Sequence, residues 1–187
     1  MQCGLCNQEV DKEHTEVISR LYVCKDCIGS EYLPARITSG GVHLSYAYRT
    51  ENGLVDPDKE DLSSHRNHKL SALAEAPYPS EIHANLQYEG LKAKMVKIFE
   101  KEIQVDDKEF DDAVWIHTNT PDTAGAFLRL SGVQSAILSM ISMNGEIDID
   151  DAKVYVKVEQ SRPIDVRQCV LQTAILLHYL TEFSSPV

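Results

Sequence analysis

No segment of this 187-residue chain stays apolar over the length that a helix needs to cross a bilayer, which excludes a helical membrane span. Positive charge is scarce as well: 18 Lys and Arg stand against 29 Asp and Glu, a net charge of −11. A nucleic-acid partner requires a basic surface that releases counterions from phosphate, and this balance excludes that class. Even the first thirty or so residues are acidic, with Lys12, Arg20 and Lys25 outnumbered by Glu9, Asp11, Glu13, Glu16, Asp26 and Glu31. Motifs that announce common chemistries are missing too. There is no G-x-x-x-x-G-K-[ST] loop for nucleotide phosphates and no G-x-S-x-G elbow for a serine nucleophile. The chain shows no internal repeat and no low-complexity tract. Met1-Gln2 leads straight into a cysteine pair without a secretory leader, so a reducing, cytoplasmic setting is expected. With 43% hydrophobic and 25% charged residues, the composition suits a globular protein with room for a small module and one ordinary domain.

What is present begins with cysteine. Cys3-Gly-Leu-Cys6 and Cys24-Lys-Asp-Cys27 are two C-x-x-C knuckles with seventeen residues between them. Two thiolates two residues apart wrap one side of a tetrahedral ion. A second such pair closes the other side and leaves no open position. The competing reading, a pair of disulfides, fits an oxidising compartment, whereas C-x-x-C pairs in a reducing one bind metal. A thioredoxin-like redox motif needs a single C-x-x-C at the head of a helix, not two. One structural zinc ion held by Cys3, Cys6, Cys24 and Cys27 is therefore expected.

Between the knuckles, Glu16 to Val23 reads as strand material, and residues 28 to 33 suit a short helix ahead of Pro34. Knuckle, hairpin, then a helix starting at the second pair is the order of a treble clef. The stretch Leu21-Tyr-Val-Cys-Lys-Asp-Cys-Ile28 also resembles the zinc-binding domain of the Clp-protease unfoldase, a treble clef that dimerises and docks partner proteins. The likeness covers about thirty residues. It implies a fold and a style of use, a protein-docking one.

Residues 1–34 are thus expected as a zinc module and residues 35–187 as an α+β domain with antiparallel hairpins and a long C-terminal helix. Val42 to Tyr48 alternates, and Asn52-Gly53 is a strong hairpin-turn signal. A polar connection from Asp56 to about Ser80 holds a short helix near Lys69–Ala74. Glu81 to Tyr88 is a strand, Leu91 to Lys101 a helix, Asp106 to Glu109 a charged turn and Ala113 to Thr118 a strand. Pro121 to Leu130 and Val133 to Met143 are helices broken at Ser131-Gly132. Glu146 to Ile149 and Lys153 to Val158 form a hairpin across Asp150-Asp151, and the last helix runs from Pro163 to about Phe183. From Asn85 to Glu159, the order and several residues resemble a group of bacterial domains without an assigned activity, which share an "EG" strand end and a "TGDPEFD" turn. The matching residues are Glu89-Gly90, Leu91 to Phe99, Glu109-Phe110-Asp111 and Val114 to His117. Asp106 and Lys108 replace the Gly and Pro of that turn. The resemblance brings no catalytic residue.

Several residues invite a functional role. In the Asp106–Asp112 turn, Phe110 is expected to plug the core and Asp111 to cap the turn by a side-chain hydrogen bond. His65 and His68 have the spacing of metal ligands on a helical face, yet they lack a carboxylate partner motif and stand in a loop-like segment. His43, His83 and His117 each sit alone in a strand pattern. Asp148, Asp150, Asp151 and Glu159 echo a calcium loop, but Ala152 and Lys153 occupy the fifth and sixth positions, where a ligand and a sharp-turn Gly are needed. Lys92, Lys94, Lys97 and Lys101 beside Met95, Ile98 and Phe99 suit a surface helix better than a membrane-binding one. Cys169 lies among Val166, Val170, Leu171, Ile175, Leu176, Leu177 and Leu180, which predicts a buried thiol and a helix with a second covered face, such as a homodimer contact.

The reading that follows is a non-enzymatic, adaptor-like protein, stabilised by zinc and binding other proteins, without nucleic-acid or membrane contact. Its alternative is an enzyme or small-ligand protein that uses His and Asp residues of the α+β domain. The mark of the alternative is one concavity that gathers two or more of His43, His83, His117, Asp111 and Asp112.

Overall fold

Alternation of buried and exposed residues marks the central strands of this chain. The computed structural model describes residues 2–3, 9–18, 21–24, 36–39, 42–50, 53–55, 69–88, 103–159 and 163–185. A single 3-10 turn, Lys12–His14, leads into β1 (Thr15–Ile18) and β2 (Leu21–Cys24), which pair as a two-stranded hairpin. The stretch expected as strand material before the second knuckle is this hairpin. The helix expected over residues 28–33 lies outside the described residues, as does the one over residues 91–101.

The domain is built on β3 (Arg36–Ser39), β4 (Val42–Thr50), β5 (Gly53–Val55), β6 (Lys69–Glu75), β7 (His83–Tyr88), β8 (Val114–Thr118), β9 (Gly145–Asp150) and β10 (Lys153–Glu159). Six of these form an antiparallel sheet in the order β4-β6-β10-β9-β7-β8, and β3 and β5 both pair with β4. Four helices accompany them: α1 (Lys108–Ala113), α2 (Pro121–Leu128), α3 (Ser131–Ile141) and α4 (Pro163–Ser184). The chain is α+β, as its pattern implies.

Three local expectations are corrected. Lys69 to Ala74 forms β6, not a helix. Its alanines and leucines favour helix locally, but Leu70, Ala72 and Ala74 are buried at every second position between β4 and β10, and burial on a pleated face overrides propensity. The charged turn ends at Asp107, which caps α1 by accepting a hydrogen bond from the Phe110 N–H at 3.1 Å. The break between α2 and α3 falls at Arg129-Leu130, and Gly132 lies inside α3, where any side chain would run into the Tyr179 ring. Thr50 also stands opposite Gly53, which puts Gly53 on β5.

One face of the sheet is apolar. Leu70, Ala72 and Ala74 of β6 lie beside Val154, Val156 and Val158 of β10, then Ile147 and Ile149, Ala84 and Leu86, and Ile116. Each large aliphatic buried in this way contributes about 1.5–3 kcal/mol. Helices cover this face. Residues 169–177 of α4 are buried without a break, Cys169 included, between the sheet and α3. The covering of α4 on more than one side thus comes from its own chain.

The link between β6 and β7 must cross the end of the β9–β10 hairpin, and it is clasped there. The N–H groups of Ser80 and Glu81 both donate to Asp151 Oδ1, at 2.9 and 3.0 Å, the Asp151 N–H donates to the Ile82 carbonyl at 2.7 Å, and the Ser80 hydroxyl donates to the Asp151 carbonyl. Asp151 takes a left-handed conformation, φ 57°, and the two-residue turn is Asp151-Ala152, one position beyond the expected Asp150-Asp151, because Asp150 still pairs with Lys153 on the ladder. Among the described residues no single helix is long and apolar enough to cross a membrane.

Candidate functional site

The N-terminal cysteines come first. The β1–β2 hairpin delivers Cys24 at its end, opposite Thr15. A bridge between Gln2 and Glu9 holds the start of the chain, and the Cys24 N–H donates to Cys3 Sγ at 3.3 Å. Cys3 and Cys24 are both buried. Two of the four expected ligands, one from each knuckle, are therefore adjacent. Two buried cysteines side by side, one of them accepting a backbone N–H at its sulfur, are a donor set that fits zinc. Cys6 and Cys27 lie outside the described residues.

The second place is the sheet face turned away from the helices. Asn85 and His117 are direct cross-strand partners, as are Asn85 and Asp148, and His83 and Asp150. All five side chains alternate out of the core. They line a depression of 240 Å3 together with Thr118 and Asn119. His83 Nδ1 and Asp150 Oδ1 are 2.7 Å apart, and the Trp115 and His117 rings stack at 5.9 Å. The Asn85 amide donates to Glu146 at 3.3 Å. The wall is fixed from behind: the Thr118 hydroxyl donates to the His83 carbonyl at 2.6 Å, and the His83 N–H donates to the Thr120 hydroxyl at 3.0 Å.

No protein-family model matches this chain, and comparison with curated proteins and with solved structures finds no match either. The geometry alone therefore speaks for the site.

His83 and His117 share one concavity, so the mark set for a ligand or catalytic site is met by these two. Asp111 and Asp112 do not join them. Asp111 Oδ1 accepts from the Val105 N–H at 3.0 Å, and Phe110 is fully buried, the plug and cap expected for this turn. Asp112 pairs with Lys108, whose ammonium it holds above its ordinary pKa through a hydrogen bond and charge. His43 stands on β4 opposite Thr38 and Glu75. His65, His68 and the lysines from Lys92 to Lys101 lie outside the described residues. Asp148, Asp150 and Glu159 belong to the hairpin, not to a calcium loop. The Lys157 ammonium, followed by that of Lys69, holds the Glu159 carboxyl below its usual range. Among the described residues no group of three or more His, Cys, Asp or Glu side chains is arranged to hold a metal ion.

Sequence reasoning missed Asn85 and Asp148 as lining residues of this site. Their signal is weak: each is one polar position in an alternating strand. What groups them is pairing across 63 residues of chain, from Asn85 on β7 to Asp148 on β9.

Proposed function

We propose that this chain is a zinc-stabilised protein-binding module in which the N-terminal treble clef docks a partner and the α+β domain serves as its scaffold. The observation that carries this reading is the approach of Cys3 to Cys24, two buried cysteines linked by a hydrogen bond from the Cys24 backbone N–H to Cys3 Sγ. The four-cysteine spacing, the order of elements and the resemblance to the unfoldase's zinc-binding domain support it. Zinc would be held by Cys3, Cys6, Cys24 and Cys27 and would supply folding energy, not chemistry, because four thiolates close the coordination sphere. Protein purified under reducing conditions without chelator is expected to carry one zinc ion per chain by mass spectrometry. A stoichiometry near zero removes the reading. Cys24→Ser should unfold residues 1–33 while sparing the rest, seen as lost amide-exchange protection confined to that segment. Proteins captured from the source cell by the wild-type chain should be lost with this variant. Equal capture by both would place docking elsewhere.

The depression favours a second reading, a small polar ligand recognised on the sheet. His83, oriented by Asp150, has the hydrogen-bonded geometry of an acid–base group. A protein-observed NMR screen with small polar fragments is expected to shift the resonances of His83, Asn85, His117 and Asp148 together. Shifts scattered over the surface would leave the scaffold role alone.

A further inference from the structure

The side chains on the open face alternate in charge by strand, and most of them find their partners away from the β9–β10 register, the Tyr155 hydroxyl on Ser71 Oγ at 3.4 Å among them. Register sets Lys153 beside Asp150, Tyr155 beside Asp148 and Lys157 beside Glu146. On this face β9 therefore carries acids only, and β10 carries base, tyrosine, base. Cross-strand ion pairing would be the simplest use of such a register. The lysines instead bond outward, Lys153 to Glu75 at 3.5 Å and Lys157 to Glu159 at 3.1 Å. The Asp148 side chain makes no hydrogen bond or ion pair among the described residues. Beside it, Tyr155 and its cross-strand neighbour Leu73 are 41% and 37% exposed, large apolar groups in the middle of a polar face.

We propose that this face is the interface of a homodimer, a second copy docking face to face about a two-fold axis that runs along the strands between β9 and β10. Such an axis carries β9 of one copy over β10 of the other. Asp150 then faces Lys153 of the partner subunit, Glu146 faces Lys157 of the partner subunit, and Asp148 faces the hydroxyl of Tyr155 of the partner subunit. One strand further out, Glu75 lies level with Lys153 and His83 level with Asp150, so Glu75 meets His83 of the partner subunit. None of these facing pairs sets like charges together. β10 and β9 are also the third and fourth strands of the six, so this axis overlaps the sheets across their whole width. The small angle between strands that a twisted sheet pair requires is compatible with it.

The area fits a modest complex. Six strands spaced ~4.8 Å and rising ~3.4 Å per residue make a face of roughly 500 Å2 per copy. Two copies reach roughly the 1,000 Å2 at which specific interfaces begin. This inference is independent of zinc and of any docked partner.

The test is sedimentation of the full chain over a concentration series reaching the millimolar range. The expected result is a monomer–dimer equilibrium that moves toward monomer as salt rises. E146K/D150K sets lysine against lysine and K153E/K157E sets acid against acid, and each should weaken dimerisation about a hundredfold. Mixed in equal amounts, the two variants should form a mixed dimer, since each presents the charges that the other lacks. Repair of pairing inside a single chain cannot produce that result. A wild-type chain monomeric throughout, variants that dimerise like the wild type, or a mixture that stays monomeric each overturns the proposal. Should a double variant fail to fold, Y155E changes one exposed side chain and sets it against Asp148 of the partner subunit. Dimerisation of Y155E at wild-type strength overturns the proposal equally.

Discussion

Phe110→Ala is expected to cost the domain about 3–5 kcal/mol, a large share of the roughly 5–15 kcal/mol that holds such a domain together. Phe110 is fully buried on a helix of only six residues, α1, which packs on α3 and β8. So short a helix has little stability of its own, and the aromatic ring is what fastens it to the core. Truncation leaves a ring-sized cavity among elements held by other contacts, which cannot close fully over it. Urea denaturation measures the loss, and a change below about 1 kcal/mol would mean that the site collapses and Phe110 is no plug. The neighbouring aspartate gives a smaller, different signature. Asp111→Ala removes the acceptor of the Val105 N–H, in a segment where Val105 itself is buried, and should cost about 1–3 kcal/mol. Asp111→Asn keeps an oxygen at that place and should recover most of the loss. Such a graded response is what a turn cap gives, and it is unlike the response of a catalytic carboxylate, for which stability would change little.

Features encoded within a few residues of chain were legible in the sequence. The alternation in β4, β7, β9 and β10, the β9–β10 turn to within one residue, Pro121 and Pro163 in the first turns of α2 and α4, and the Phe110–Asp111 plug and cap all have local causes. Pairings over long stretches of chain were not legible. Lys69 to Glu75 carries helix-favouring residues, and its strand state depends on Lys153 to Glu159, whose paired residues lie 78 to 90 positions away. The order β6-β10-β9-β7, in which strands flanking one loop are parted by a later hairpin, leaves no trace in the periodicity of either strand. For the same reason the polar depression was hidden. His83 and Asp150 are separated by 67 residues in sequence and by 2.7 Å in space. His83 alone looked like an ordinary exposed position of a half-buried strand, and Asp150 like a turn residue.

Gly145→Ala and Gly125→Ala are expected to change stability in opposite directions. Gly145 opens β9 just beyond α3, and an added Cβ would lie 2.6 Å from the Met140 carbonyl oxygen and 3.1 Å from its carbonyl carbon. That carbonyl is no flexible tip. It accepts the Met143 N–H at 3.1 Å at the end of α3, and the Met140 side chain is fully buried. Relief requires moving either the end of the helix or the first residue of a central strand. The expected loss is about 2–3 kcal/mol, read from the urea midpoint at unchanged slope. At Gly125, inside α2, the added Cβ would meet only Arg129 Nη1 at 3.6 Å and Ile103 Cγ2 at 3.8 Å, ordinary contact distances. There the chain gains helix propensity and loses unfolded-state freedom, for a stabilisation of about 0.4–1 kcal/mol. Both glycines leave the unfolded ensemble in nearly the same way, so the difference between the two variants isolates the folded-state clash. If both substitutions stabilise, the approach of β9 to the Met140 carbonyl is looser than 2.6 Å implies. If both destabilise, α2 is packed too closely at Gly125 for those contact distances to hold.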